Sequence, residues 1–291
     1  MNGIAWAITA GFLFGIFQAF YRKGNQDFDA YRVNFVLLVT GSLALGFGGL
    51  VSQDISLLGS APASAFGWAA GAGLIHFFVG WTALTLSQQR IGASRTGIVI
   101  AATPLLGSLL AAVFLKERVP SATILGVVLV TAGVGLLSLR GGRLEAAPGV
   151  PWMAILTAAS WGTSPLFITK AVEQLPAPLL AVTVGLSTAT LAFAVLLILR
   201  RRGKPVGPMP REARRWTVVS GLVVATAIGS QWAAYEQASV TVAISLMQIS
   251  TPVVVLLAPL VAKGEMERIT VPLLAGLLLV MLGSTIVVVS G

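Results

Sequence analysis

The chain has 291 residues, 56% of them hydrophobic and only 10% charged, with no cysteine and a mean hydropathy of +0.90. That balance leaves too little polar surface for a soluble domain of this size, so lipid is the expected solvent. The lack of cysteine excludes disulfides, thiolate metal sites and cysteine nucleophiles. The net charge of +9 does not point to nucleic acid, because the cations fall in connections between apolar segments and follow topology.

A spanning helix needs roughly 20 apolar residues, and windows of that kind lie near 3–21, 31–51, 64–87, 92–115, 120–139, 150–170, 177–199, 216–236, 240–262 and 270–289. Alternating apolar and polar residues are absent and the runs are too long for barrel strands, so the spans are helices that satisfy their own backbone groups. The sequence therefore predicts an all-α integral membrane protein with ten transmembrane helices. Met1 leads directly into the first window without a basic leader or cleavage site, so no removable signal peptide is expected.

The connections after spans 1, 3, 5, 7 and 9 hold 16 of the 19 Lys and Arg residues, and the other side holds Lys116, Arg118 and Lys170. Positive-inside reasoning puts the 16 in the cytoplasm and both termini outside. The 200–215 segment supplies 7 of the 16 and reads as a topology anchor or as a patch for anionic lipid headgroups.

Pro104, Glu117, Gly126 and Gly133 recur in order about 150 residues later as Pro252, Glu265, Gly276 and Gly283. Pro-to-Glu is 13 positions in both copies and Gly-to-Gly is 7, with Met266 and Glu267 as the apparent insertion. Aligning Gly15 with Gly162 also matches Ala7 with Ala154, Phe14 with Trp161, Phe20 with Phe167 and Lys23 with Lys170. Two repeats of five spans follow, 1–147 and 148–291. An odd number of spans per repeat inverts the second copy in the bilayer, the arrangement on which alternating access to a midplane site is built. Pro104 and Pro252, inside spans 4 and 9, read as matched hinges or as static packing bends. Gly126, Gly133, Gly135, Gly276 and Gly283 read as close-packing positions at the periphery, bracing each half or forming a dimer contact. Thr131, Ser284 and Thr285 on the same helices are expected to bond back to their own backbone.

His76 is the only histidine and lies mid-span, where ionisable groups are expensive and lean towards function. It is a candidate substrate contact or a neutral imidazole bonded between helices. Its face, through Ala69, Gly73, Gly80 and Ala83, is small, leaving room for a ligand or for a tightly packed neighbour. In span 9, Thr241, Ser245, Gln248 and Pro252 form one polar stripe, expected to line a cavity; Gln248 and Ser245 are binding candidates. Trp161 lies among Ser160, Thr163, Ser164 and Pro165, away from the interfacial belt, and reads as a pocket wall or gate. Phe14 and Phe78 would face the apolar body of a solute, and Trp232 is a weaker pocket candidate.

All ten acidic residues fall at span ends or in loops. Without a mid-depth carboxylate for a driving ion, facilitated diffusion or exchange is favoured, with a His76 proton relay as the exception. Glu117 and Glu265 are expected to fix the turns into spans 5 and 10 or to pair with Arg118 and Arg268. No catalytic motif is present and one histidine makes no multi-histidine metal site, so no enzyme, metal or cofactor is expected.

The doubled Pro, Glu and paired glycines, ten spans and overall length resemble the EamA branch of the drug/metabolite transporter superfamily over nearly the whole chain. Within that branch the chain is similar to bacterial amino-acid exporters of the YddG type. The resemblance implies a central cavity lined by both halves, export of amino acids or similar metabolites, and a bacterial inner-membrane location. The Ala102, Thr103, Pro104 run lacks the aromatics expected of a strictly aromatic-specific exporter. Small-molecule substrate and membrane lipid are the expected partners, with the protein a monomer or weak homodimer. Drug or lipophilic-cation efflux, and a non-transporting membrane scaffold, are the alternatives.

Overall fold

The computed structural model describes residues 2–25, 29–91, 93–137, 152–200, 209–261 and 271–290, and among these every regular element is helical. The first half comprises α1 (Gly3–Asn25), α2 (Ala30–Ser52), a short α3 (Ser56–Ser60), α4 (Ala63–Gly73), a π-helical stretch Leu74–Gly80, α5 (Trp81–Ile91), α6 (Ala93–Ile100), α7 (Thr103–Phe114) and α8 (Ser121–Leu137). The second comprises α9 (Trp152–Gln174), α10 (Pro178–Arg200), α11 (Arg211–Gln237), α12 (Val240–Leu246), a 3-10 turn Met247–Ile249, α13 (Ser250–Val261) and α14 (Val271–Ser290).

Two interruptions follow from proline. Pro104 and Pro252 offer no N–H to the carbonyls of Ile100 and Gln248, four residues back. The helix accordingly breaks just before each, at Ala101–Ala102 between α6 and α7 and in the 3-10 turn between α12 and α13. The breaks fall near the middle of the apolar windows, so each window is two half-helices. Among the described residues, six helical stretches are long and apolar enough to cross a membrane: Tyr31–Ser52, Ala63–Ser87, Thr96–Phe114, Pro178–Arg200, Arg211–Gln237 and Val271–Ser290. Gly3–Gln18, Ser121–Leu137 and Val240–Val254 are shorter apolar segments. α9 is diluted by Thr157, Ser160, Thr163, Ser164, Lys170 and Glu173. The two most enclosed of the six are Arg211–Gln237 (72% buried) and Ala63–Ser87 (50%), against 28% for the other four, which identifies them as the inner helices.

The principal packing joins helices of opposite halves. α1 runs antiparallel along α11, with Gly3 beside Ala238 at one end and the rings of Phe20 and Trp216 5.6 Å apart towards the other. α9 repeats this against α4 and α5, with Trp68 on Phe167 at 5.3 Å and Thr157 beside Gly80. α1 also packs on α12 and α13 as α9 packs on α6 and α7, while α2 meets α10 and α8 meets α14. Exchanging the two halves reproduces this set of partners, as a two-fold relation between them requires.

The α8–α14 contact shows the relation most directly. A Cβ on Gly126 would lie 2.8 Å from Gly283 O, and one on Gly283 would lie 2.6 Å from Gly126 O. Gly133 and Gly276 stand in the same reciprocal relation, at 2.8 and 2.9 Å. Reversed order along the two helices means antiparallel packing, and the Thr123 and Ser290 hydroxyls bond across it at 2.9 Å. The four glycines thus brace the halves against each other, not each half separately. Gly135 is off this face, with nothing within 4 Å of its Cβ position. Thr285 bonds back to Met281 O at 2.9 Å, whereas the Thr131 and Ser284 hydroxyls are buried without a partner.

The two-fold relation is incomplete: among the described residues α9 packs on α11, and α7 on α8, without counterparts of similar extent, and a further departure lies between α7 and α12. α7 packs on α12, with Ile244 Cδ1 2.6 Å from the Cβ position of Gly107. Exchange of halves maps this pair onto α13 and α6, and among the described residues those two have no comparable packing. The described residues thus pack together at the end that carries Glu117 and Ser239, and α6 and α13 show no comparable packing towards the end that carries Arg90 and Arg200.

Gly133→Ala and Gly276→Ala should each destabilise the protein by about 1–3 kcal/mol through overpacking against backbone, while Gly135→Ala should be neutral or stabilising by about 0.5–1 kcal/mol. Thermal unfolding of the three variants in detergent checks this.

Candidate functional site

His76 lies in the π-helical stretch and is 9% exposed. Wide turns of this kind admit an extra residue and leave the carbonyls beside it open to outside donors. Trp161 uses one of them: its Nε1 donates to His76 O at 3.2 Å, and its ring stacks on the imidazole at 5.7 Å and 20°. On the next turn of α9, Ser164 Oγ is 2.7 Å from His76 Nδ1, a contact that either imidazole tautomer satisfies. Pro165 has no N–H for Trp161 O, and the Ser164 hydroxyl reaches that carbonyl at 3.4 Å. His76 is thus joined to the opposite half three ways. Gly80 makes room for the indole, since a Cβ there would lie 2.7 Å from Trp161 Nε1. Gly73 packs instead on the Gly185 backbone of α10, so the small face around His76 is occupied by α9 and α10.

An aromatic chain leads away from this pair. Phe77 meets the imidazole edge-on at 4.7 Å and Trp81 at 5.5 Å, Trp81 stacks on Phe17 at 6.0 Å, and Phe17 contacts Tyr21 at 5.5 Å. Tyr21 donates to Asn34 Oδ1 at 2.9 Å. Helices α1, α2, α5 and α9 are tied together along this path.

The other sequence candidates make contacts of their own. Phe78 points to α10, edge-on to Phe193 at 5.1 Å, and Phe14 is half-buried against the apolar core. Ser245 is fully buried and donates to Thr241 O of its own helix at 2.8 Å. Gln248, half-buried in the 3-10 turn, has its amide 3.5 Å from Ile244 O. Trp232 is fully enclosed with its Nε1 unpartnered. Pro104 and Pro252 are both buried. No group of three or more His, Asp or Glu that could hold a metal is found among the described residues.

Two residues were given no role in the sequence reading, and a third, Glu117, has other partners than expected. Ser164 is the imidazole's partner. Gln231 of α11 is 6% exposed, with its Nε2 3.6 Å from Met247 Sδ and its Oε1 buried without a partner, so its amide lies beside the turn that carries Gln248. Glu117 does not serve the turn into α8 or pair with Arg118 among the contacts present. Its Oε1 accepts from Val240 N at 2.6 Å, and its Oε2 from Thr241 N at 3.3 Å and Thr241 Oγ1 at 3.0 Å. The carboxylate caps the first turn of α12 in the other half, where it complements the helix dipole. Thr241, expected to line a cavity, is spent on this contact. Glu265 and its expected partner Arg268 lie outside the described residues.

The description "EamA-like transporter family" matches the chain twice, over residues 1–139 and 149–289. The chain belongs to the EamA-like transporter family. It is a multi-pass membrane protein of a transporter family, and membership supports transport of small solutes. No curated protein matches the chain. A solved structure titled only "Crystal structure of protein" is similar in fold, with a TM-score of 0.77 and 20% identity, covering 99% of this chain and 97% of that one.

For this transporter, Ser164→Ala should strand the His76 Nδ1 in a buried site and cost about 1–3 kcal/mol of stability. Trp161→Phe keeps an aromatic ring but removes the donor to His76 O, and should cost about 0.5–1.5 kcal/mol. Denaturation of the detergent-solubilised variants, read by the loss of secondary structure, measures both.

Proposed function

We propose that the transporter exports small metabolites, amino acids foremost, by alternating access across a bacterial inner membrane. Ten spans in two inverted repeats, 1–147 and 148–291, enclose the path, with both termini in the periplasm and the arginine-rich 200–215 segment in the cytoplasm. The observation that carries this reading is the broken symmetry: α7 and α12 pack together while, among the described residues, their exchange partners α13 and α6 show no comparable packing. Inverted repeats in which one end is packed and the related end is not are what a rocking transporter presents in one of its two states. With the cytoplasmic side assigned by charge, this state is open inward, ready to take solute from the cell.

The neutral polar character of the mid-depth groups supports the solute class. His76, Ser164, Gln231 and Gln248 offer hydrogen bonds without fixed charge, and Trp161, Phe14 and Phe78 offer apolar walls. A lipophilic cation would call for a carboxylate at that depth, and the described acidic residues sit at helix ends or between helices. Pro104 and Pro252, beside the two helix breaks, are the hinges about which the halves rock. The same lack of a mid-depth carboxylate favours facilitated diffusion or exchange over ion coupling.

Purified protein in liposomes loaded with labelled amino acids tests the reading. Efflux should be carrier-dependent, and Gln248→Ala or Trp161→Ala should lower it about tenfold or more, the scale of losing one or two polar contacts at roughly 1.4 kcal/mol per decade. Efflux of apolar cations that Gln248→Ala leaves intact would favour the drug-efflux alternative, and no flux of any solute would favour a scaffold.

A further inference from the structure

We propose that Glu117 is a gate residue of the transport cycle: its carboxylate latches the start of α12 and so holds the α7–α12 end of the bundle shut, and letting go of Val240 and Thr241 opens that end. The proposal rests on the alternating-access reading above but not on the identity of the solute.

The latch is built from both sides. On α12, Ser239 caps its own helix by accepting from Val242 N at 3.3 Å. The two preceding N–H groups, of Val240 and Thr241, go to Glu117 instead, and the Thr241 hydroxyl follows them. One carboxylate from the first half thus takes three donors from a single helix start in the second, and ionised acceptors make the stronger hydrogen bonds. On α7, the helix ends with Leu115 N on Ala111 O at 2.9 Å and Glu117 N on the same carbonyl at 3.3 Å. Between them Lys116 takes φ 56°, the only positive φ outside glycine among the described residues. This is the helix-ending turn that ordinarily places glycine in the left-handed position. Here a lysine holds it, a local strain of the kind that collects at switch regions, and the turn directs Glu117 away from its own helix and onto α12.

The place of the latch makes it more than a cap. It lies at the end where α7 and α12 touch, above the close approach of Ile244 to Gly107. That contact is one the two-fold relation does not reproduce, since among the described residues α6 and α13 show no comparable packing. Among the described residues, sequence-related half-helices are therefore packed in one pairing and without comparable packing in the related one. What moves between the two states is this contact, and Glu117 is the polar group that bridges it.

The absence of native cysteine permits a direct test in full-length protein in right-side-out membrane vesicles. Ile244→Cys reports on the α7–α12 contact and Val280→Cys, in the α8–α14 contact, reports on general integrity; both wild-type residues are at most 4% exposed. Each is labelled from outside with a membrane-impermeant maleimide. Adding Glu117→Ala should speed labelling at 244 by about fivefold or more, the population shift that follows loss of one charged cap. Glu117→Gln, which keeps one acceptor oxygen, should fall between Ala and wild type, and the 280 site should stay protected throughout. Unchanged labelling at 244, or equal acceleration at 244 and 280, overturns the latch, the second because Glu117 would then only hold the fold together. Solute flux in the same vesicles separates the two ideas. Normal flux with unresponsive 244 sinks the latch alone, whereas a responsive 244 without flux in any background sinks the transport reading and leaves the latch as a conformational contact.

Discussion

Backbone-to-backbone contact between helices of opposite halves is the constraint on which this structure depends. In lipid the apolar surface of a helix gains little from leaving its solvent, so association relies on close packing and on interhelical hydrogen bonds. The chain meets this with glycines at crossing points: Gly126 on Gly283, Gly133 on Gly276, and Gly73 on Gly185. Each pair joins one half to the other, and the principal helix contacts do the same. Neither half would bury its inner helices alone. The two are one packed unit, and the reversed order of the α8–α14 glycines fixes the second half upside down relative to the first.

A rigid two-fold lattice of contacts would not move. Mobility enters where the helices are irregular, and the irregularities lie near mid-depth: the breaks before Pro104 and Pro252, the wide turn carrying His76, and Pro165 beside Ser164. Non-helical backbone at that depth is tolerated only where protein or water satisfies it. Here side chains do part of that work, Trp161 bonding His76 O and Ser164 reaching Trp161 O. The same side chains belong to the candidate solute site, which couples the site to the places where the helices yield. On the function proposed above, a solute bound at His76 and Trp161 draws on the hydrogen bonds that hold the irregular backbone there, which is how binding would bias the conformation.

The all-helical membrane fold and its doubling were legible because both are written in local pattern: long apolar windows set by bilayer thickness, and a Pro, Glu, Gly, Gly spacing that survives in both copies. The contact between His76 and Trp161 was half legible, as two polar or aromatic groups at unusual depth. Ser164 was not, because it stands 88 positions from His76 and hydroxyls in membrane helices usually bond to their own backbone, as Ser245 does. The π-helical stretch left no trace, since one inserted residue does not disturb a run that is apolar on every side. Glu117 was read through its neighbours in sequence, Arg118 and the turn, when its partners are 123 and 124 positions away. Gly135 failed for the opposite reason: composition suggested a packing glycine, but two residues beyond Gly133 is the other side of the helix.

The central claim is that the two ends of the bundle open in turn. Spin labels in the cysteine-free chain measure this directly, with one pair at Arg118 and Gln237 on the packed end and another at Arg90 and Leu256 on the other end, all at exposed positions. Pulsed dipolar distances in lipid nanodiscs, compared with and without a saturating transported solute, should show a second population in which the first distance lengthens while the second shortens. Distances that stay fixed at both ends, or that lengthen or shorten together, would contradict the account.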